Sequence, residues 1–278
     1  MTILTFTLLL WLVSALTGFL GALTGLGGGV LLVPVLTLLF GVDIHYAIGA
    51  TVVSVIATSS GAAAAYVKEG FTNIRIGMFL EIATTVGAVL GALLLTRVST
   101  GFVGIVFGLM LLFSAYASWQ SPPDVPPLAK PDKLSLSLKL NGTYPTPQGE
   151  QPYQVYRVTT GFGLMALAGA LSGLLGIGSG AMKVLAMDQG MRIPFKVSTT
   201  TSNFMIGVTA AATAGIYLKR GYIVPGLAMP VMLGVLMGSM LGARALMKMH
   251  TRILRIVFSV IIGVMALEMI YNAMTGRI

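Results

Sequence analysis

The chain has 278 residues, 56% of them hydrophobic and only 9% charged, with a mean hydropathy of +0.92; soluble domains carry roughly 25% charged residues, so most of it belongs in lipid. Its net charge is +9, yet no basic cluster is interleaved with aromatics, which excludes a nucleic-acid partner and makes the lysines and arginines topology signals. The absence of cysteine excludes disulfides, thiolate metal sites and thiol catalysis, and no metal-ligand or cofactor motif is read.

Residues 4–24 form the first apolar segment. With no basic stretch before it and no A-x-A cleavage site after it, it reads as a retained helix, not a signal peptide. Five glycines then fall between Gly21 and Gly29, where each costs ~1 kcal/mol relative to alanine in a helix interior. Apolar segments follow at 29–41, 46–66, 76–96 and 101–118, and a second set at 158–176, 180–189, 195–217, 222–246 and 253–273. A spanning helix needs about 20 apolar residues, so 29–41 and 180–189 read as half-helices, each preceded by a glycine-rich break. Residues 119–157 are polar and proline-rich, a loop outside the bilayer. Within it Leu134, Leu136, Leu138 and Leu140 alternate with polar residues before Asn141-Gly142, which predicts a strand and a small β-hairpin.

The two sets repeat. Shifted by 151 positions, Gly18, Gly25, Gly27 and Gly29 fall on Gly169, Gly176, Gly178 and Gly180, and GAVLGA (87–92) falls on GSMLGA (238–243). A two-residue slip between these matches aligns IHYAIGATVVS with IPFKVSTTTSN, pairing Thr51 with Thr200 and Ser54 with Asn203. The expected organisation is 1–118 as the first membrane repeat, 119–157 as the inter-repeat loop and 158–278 as the second. If ten segments cross, the repeats are inverted, and twelve of the sixteen lysines and arginines other than Lys183 collect on one side; eight crossings leave no bias. The positive-inside rule favours the inverted arrangement, with both chain ends outside and the loop inside. The fold class expected is an all-α integral membrane protein of two inverted repeats, each with about five helical segments including one half-helix.

A helix that starts inside the bilayer exposes unpaired N–H groups and about half a positive charge, which an oxyanion satisfies directly. Gly27, Gly28 and Gly29, and Gly178, Ser179 and Gly180, are therefore expected to line a substrate site where two half-helices meet near the midplane. Gly18, Gly21, Gly87, Gly91, Gly238 and Gly242 are instead expected to let helices pack closely. Lys183, inside the second half-helix, could neutralise an anion or pair with Asp188; its counterpart in the first repeat is Leu32. Thr200 and Asn203 on one helix, and Thr51 and Ser54 on its counterpart, offer neutral donors, with bonding back to their own helix as the alternative. Glu81 is a candidate proton carrier, with a salt bridge to Arg75 as the competing explanation, and Glu268 is weighed for the same role. His45 caps a helix beside Asp43. No catalytic residue is assigned.

With G-x-x-x-x-G-x-G-G-G entering a half-helix that reaches Val33-Pro34, A-x-G-A-T at 47–51, and Gly176-Ile177-Gly178, Lys183 and Ser198 through Asn203 in the second copy, the sequence resembles the sulfite exporter TauE/SafE family over both repeats. The resemblance leaves out 119–157 and departs at Ser179, where a third glycine would stand. It implies multi-pass transport across the inner (plasma) membrane of a prokaryote, of small sulfur oxyanions or organosulfonates such as sulfite and sulfoacetate, without cofactors. The reading that follows is a secondary transporter, an exporter, working by alternating access. An anion channel, or a carrier of another small anion such as a carboxylate or thiosulfate, is the alternative. An intramembrane enzyme is remote, since neither histidine sits within a helix as a base for Ser179. The expected partners are a small anionic substrate and the bilayer, and the residues do not choose between a monomer and a homo-oligomer.

Overall fold

The computed structural model describes residues 3–24, 28–68, 70–119, 132–146, 149–175, 180–248 and 251–276. Its first half holds helices α1 (Ile3–Thr24), α2 (Gly29–Pro34, continued by a π-turn Val35–Leu39), α3 (Ile44–Lys68), α4 (Ile74–Leu94) and α5 (Thr100–Trp119). A short helix α6 (Lys133–Ser137) and strands β1 (Gly142–Thr146) and β2 (Gly149–Tyr153) follow. The second half holds α7 (Val158–Leu175), α8 (Gly180–Leu185, continued by a π-turn Ala186–Gly190), α9 (Phe195–Lys219), α10 (Pro225–Lys248) and α11 (Thr251–Met274).

Among the described residues, Leu4–Leu23, Ile44–Gly61, Ile74–Leu94 and Pro225–Ala245 are long and apolar enough to cross a membrane. Each half-helix with its π-turn is eleven residues, about 16 Å at 1.5 Å per residue and half a hydrocarbon core. Met78, Ile82, Val86 and Leu90 on α4 stay exposed at every fourth position, as do Met229, Leu233, Met237 and Leu241 on α10. These stripes face lipid and sit 151 residues apart. The chain is a helical membrane protein.

Helix partners exchange with the same 151-residue shift. α1 packs along α10 and α4 along α7; α3 meets α10 and α9 meets α4; α3 packs on α9, and α5 on α11. The glycines weighed for close packing make this possible. A Cβ on Gly238 would overlap the Ala15 carbonyl and one on Gly242 the Phe19 carbonyl, while Gly87 and Gly91 stand the same way against Ala166 and Ala170. Gly18 lies on the backbone of Val235, and Gly169 on that of Thr84. Backbones pressed together in this way gain van der Waals contact where lipid supplies no hydrophobic drive.

The two-residue slip in the sequence alignment is corrected here. The π-turns and α3 and α9 all start 151 residues apart, because the loops between them have equal length. Side chains agree: His45 stacks on Tyr222 at 5.0 Å, and its counterpart Lys196 lies 5.9 Å from the ring of Phe71, the counterpart of Tyr222. The slip maximised matched hydroxyls, but the backbone pairs Thr51 with Ser202, Ser54 with Met205 and Thr58 with Thr209. Ends match as well: Gly70 and Gly221 follow α3 and α9 with φ of 74° and 73°, the left-handed stop that glycine adopts without penalty.

The inter-repeat segment also differs from expectation. Residues 133–137 are helical, not a strand, because Asp132 accepts from the Leu134 N–H at 3.1 Å and so caps a turn. The hairpin lies further on, with Gly142 opposite Tyr153 and Thr146 opposite Gly149. It docks on the α3–α4 turn, where the Asn73 amide donates to the Leu140 carbonyl at 3.1 Å and to Tyr153 Oη at 2.7 Å. Burial pushes the Tyr153 phenol above its ordinary pKa. The other carboxylate oxygen of Asp132 accepts from Val158 N at 2.8 Å, so one side chain caps both α6 and α7.

Candidate functional site

Gly180 opens the second half-helix, and one turn on, Lys183 is wholly buried with 0% exposure. A lone ammonium in hydrocarbon is prohibitively costly, so buried ions are paired and hydrogen-bonded. The partner is not Asp188. Lys183 Nζ lies 3.3 Å from Glu81 Oε2 on α4 and donates to Thr209 Oγ1 near the middle of α9. Glu81 in turn does not pair with Arg75, whose guanidinium reaches the Lys139 carbonyl at 3.5 Å.

The Glu81 carboxylate is saturated. Its Oε2 accepts from Thr84 Oγ1 at 2.9 Å as well as from Lys183, and its Oε1 accepts from Thr85 Oγ1 at 3.0 Å and from Thr209. Thr84 and Thr85 stand three and four residues after Glu81, on the same helix face. Four donors from three helices thus surround one carboxylate, and Glu81, Thr84, Thr209 and Lys183 are all buried. Breaking such a pair by removing one partner costs about 3–5 kcal/mol.

The expected substrate-site residues distribute as follows. Gly28 is buried, with φ 73°, and its carbonyl accepts from Leu31 N at 3.2 Å and Leu32 N at 3.1 Å, so it turns the chain into α2. Gly29 and Gly180 open the half-helices and are buried. Gly27, Gly178 and Ser179 lie outside the described residues. Ser202 donates to the Gly180 carbonyl at 3.3 Å, tying α9 to the start of α8. Thr200 donates to Phe71 O at 3.1 Å and reaches its own backbone at Lys196 O and Val197 O; it links α9 to the α3–α4 turn. Asn203 is buried, and its carbonyl accepts from Ser59 Oγ at 2.6 Å. Ser54 bonds back to Ala50 O at 2.8 Å, the alternative weighed for it. The hydroxyls of Thr51 and Thr199 are buried without a hydrogen-bond partner among the described residues. Glu268 is exposed and borders a largely apolar groove with Pro34 and Leu38. The expectation for His45 is corrected: it is the second residue of α3, and Asp43 does the capping, accepting from the His45 backbone N–H at 2.9 Å.

Sequence reasoning missed Thr209 and the Glu81–Lys183 pairing across 102 residues. It could have noticed that Glu81-x-x-Thr84-Thr85 places two hydroxyls where a buried carboxylate needs them. No group of acidic and histidine side chains able to hold a metal occurs among the described residues. Chemically, the cluster holds one positive and one negative charge in a dry environment, with hydroxyls able to reorient around them.

Residues 10–269 match the family model described as "Sulfite exporter TauE/SafE". The chain is 26% identical over 271 residues to "Probable membrane transporter protein YunE" of Bacillus subtilis (strain 168), covering 95% of this chain and 97% of that protein. It is 27% identical over 276 residues to "Probable membrane transporter protein MJ0441" of Methanocaldococcus jannaschii, covering 94% of each. A "Probable membrane transporter protein" of Xylella fastidiosa (strain 9a5c) is 26% identical over 264 residues, 94% of this chain and 93% of that protein. No solved structure matches the chain significantly.

Proposed function

The chain belongs to the sulfite exporter TauE/SafE family and is a membrane transporter, and from that premise we infer that it exports a small sulfur oxyanion or organosulfonate, such as sulfite or sulfoacetate, across the plasma membrane of a prokaryote. The observation that carries this reading is the buried Lys183 ammonium one turn into the second half-helix, balanced by Glu81 at 3.3 Å. An ionisable pair at that depth marks a substrate or ion pathway by default. The substrate site is placed around Gly27–Gly29 and Gly178–Gly180, with Lys183 as its cationic ligand and Thr51, Ser54, Thr200 and Asn203 on the flanking helices.

Two inverted repeats, 1–118 and 158–278 joined by 119–157, would rock around this site. Support comes from the return of the first half-helix: Phe40 packs on Phe6 at 5.6 Å, so α2 runs back toward the end where α1 begins. Each repeat then crosses an odd number of times, which inverts the second. The pairs His45–Tyr222 and Lys196–Phe71 would close opposite mouths. A reporter fused after Ile278 is expected to give an extracytoplasmic signal.

The substrate test is a thermal-shift panel of sulfite, sulfate, thiosulfate, sulfoacetate, taurine and small carboxylates on the purified protein, followed by flux of the best ligand in proteoliposomes. Stabilisation by a sulfur oxyanion, with flux lost in Lys183→Met, is expected. Stabilisation by carboxylates alone, or undiminished flux in Lys183→Met, refutes it.

A further inference from the structure

The Lys183 ammonium already faces the Glu81 carboxylate at 3.3 Å, so an anion that binds beside it brings a second negative charge to one ammonium unless the carboxylate takes up a proton. Resting on the anion-transport reading above, we propose that Glu81 binds a transported proton, and that one proton travels with each monovalent anion because the buried cluster can cross between its two orientations only when electrically neutral.

Four occupancies are available. With Glu81 ionised and no anion, the charges of Glu81 and Lys183 cancel. With Glu81 protonated and an anion on Lys183, they cancel again. The anion without the proton leaves a net charge of −1, and the proton without the anion a net charge of +1. An uncompensated charge in a low-dielectric interior costs several kcal/mol. Only the empty and the doubly loaded clusters can therefore reorient, which is obligatory coupling.

The hydrogen bonds permit the change. Thr84 Oγ1 has a second acceptor in Leu80 O at 3.2 Å, and Thr209 Oγ1 has one in Met205 O at 3.2 Å. Both hydroxyls can turn away when the carboxylate gains a proton, and Thr209 can then accept from the new O–H. The proton adds to a carboxylate oxygen, and no other bond forms or breaks. The titratable groups on the elements packed around Glu81 are Arg75 at the exposed start of its own helix, Lys196, Tyr217 and Lys219 on α9, and Lys183 and Asp188 on α8 and its π-turn; α7 carries none. Tyr217 donates to the Gly173 carbonyl. Among the described residues, only Lys183 is bonded to the Glu81 carboxylate as a countercharge.

The fold itself does not require the pair. At the equivalent place in the other half stand Leu32, wholly buried, and Met232, so the same helix packing closes with apolar side chains.

The test uses the full chain in proteoliposomes with labelled 2-hydroxyethanesulfonate, a permanently ionised monovalent sulfonate that carries no proton of its own. Wild-type protein is expected to accumulate the probe about tenfold per unit of imposed pH difference, toward the alkaline side, with no response to an imposed membrane potential; export from an alkaline cytoplasm then runs only while the anion's outward gradient exceeds the opposing pH difference. Glu81→Gln is expected to lose this accumulation while retaining a reduced tracer exchange, because its loaded cluster is neutral and its empty one is not. The double variant Glu81→Met/Lys183→Leu, which copies the other half, is expected to fold with a wild-type melting profile and carry no flux. Accumulation that survives in Glu81→Gln, or wild-type flux in the double variant, overturns the proposal. Wild-type flux that only equilibrates the probe overturns the proton's role and leaves the anion-transport reading standing. Absence of wild-type flux of this probe, sulfite and sulfoacetate overturns both.

Discussion

Neutralising either member of the buried pair alone should destabilise the protein far more than replacing both together. In Lys183→Met, Glu81 keeps three hydroxyl donors, from Thr84, Thr85 and Thr209, but loses its countercharge. The uncompensated charge should cost about 3–5 kcal/mol. In Glu81→Gln, Lys183 keeps Thr209 and the new amide oxygen but likewise loses its countercharge, at a similar cost of about 3–5 kcal/mol. Glu81→Met/Lys183→Leu should lie within about 1–2 kcal/mol of wild type, since apolar replacement of a buried pair is often neutral or stabilising. Reversible unfolding in bicelles measures all three. A single variant as stable as wild type, or a double variant as unstable as the sum of the singles, would refute a desolvated, mutually compensated pair.

Replacing Gly238 or Gly87 by leucine should halve or worse the yield of monodisperse protein in size-exclusion chromatography, because the new Cβ overlaps the Ala15 or Ala166 carbonyl; Gly215→Ala, with nothing within 4 Å of its Cβ, should be neutral or stabilising by up to about 1 kcal/mol. Arg220→Ala removes donors to the Ala92 and Leu93 carbonyls at 2.7 and 3.3 Å, and should cost about 1–3 kcal/mol in the same unfolding assay. Asn73→Ala should release the hairpin, seen as faster amide exchange across 142–153 without loss of helix content.

The helices were legible because hydropathy in a membrane chain is almost a direct readout of depth. The half-helices expected at 29–41 and 180–189 occupy 29–39 and 180–190, since glycine clusters mark where they begin. Pairings between helices were less legible. For Lys183 the sequence offers a neighbour, Asp188, and for Glu81 it offers Arg75; which charge meets which depends on how α4, α8 and α9 come together, an arrangement that the sequence neighbours of neither charge encode. The hairpin moved for a local reason. Alternating leucines and a capped turn compete for 133–140, and the Asp132 carboxylate, bonded to both Leu134 N and Val158 N, decides in favour of the turn.

The symmetric frame and the asymmetric charge together make one more prediction. The counterparts of Glu81, Lys183 and Thr209 are Met232, Leu32 and Thr58, but those of Thr84 and Thr85 are Val235 and Leu236. Moving the pair across by Met232→Glu/Leu32→Lys, in the Glu81→Met/Lys183→Leu background, would give the carboxylate its ammonium and the Thr58 hydroxyl but withhold two of its four donors. A hydrogen bond to a charged group contributes about 1.5–3 kcal/mol, so the transplanted protein should be about 3–6 kcal/mol less stable than wild type. Adding Val235→Thr and Leu236→Thr restores both donors and should recover most of that loss in the unfolding assay. If the transplanted pair is already stable without the two threonines, the carboxylate's hydroxyl shell is dispensable. The fallback bonds of Thr84 and Thr209 would then have no part in accommodating a proton.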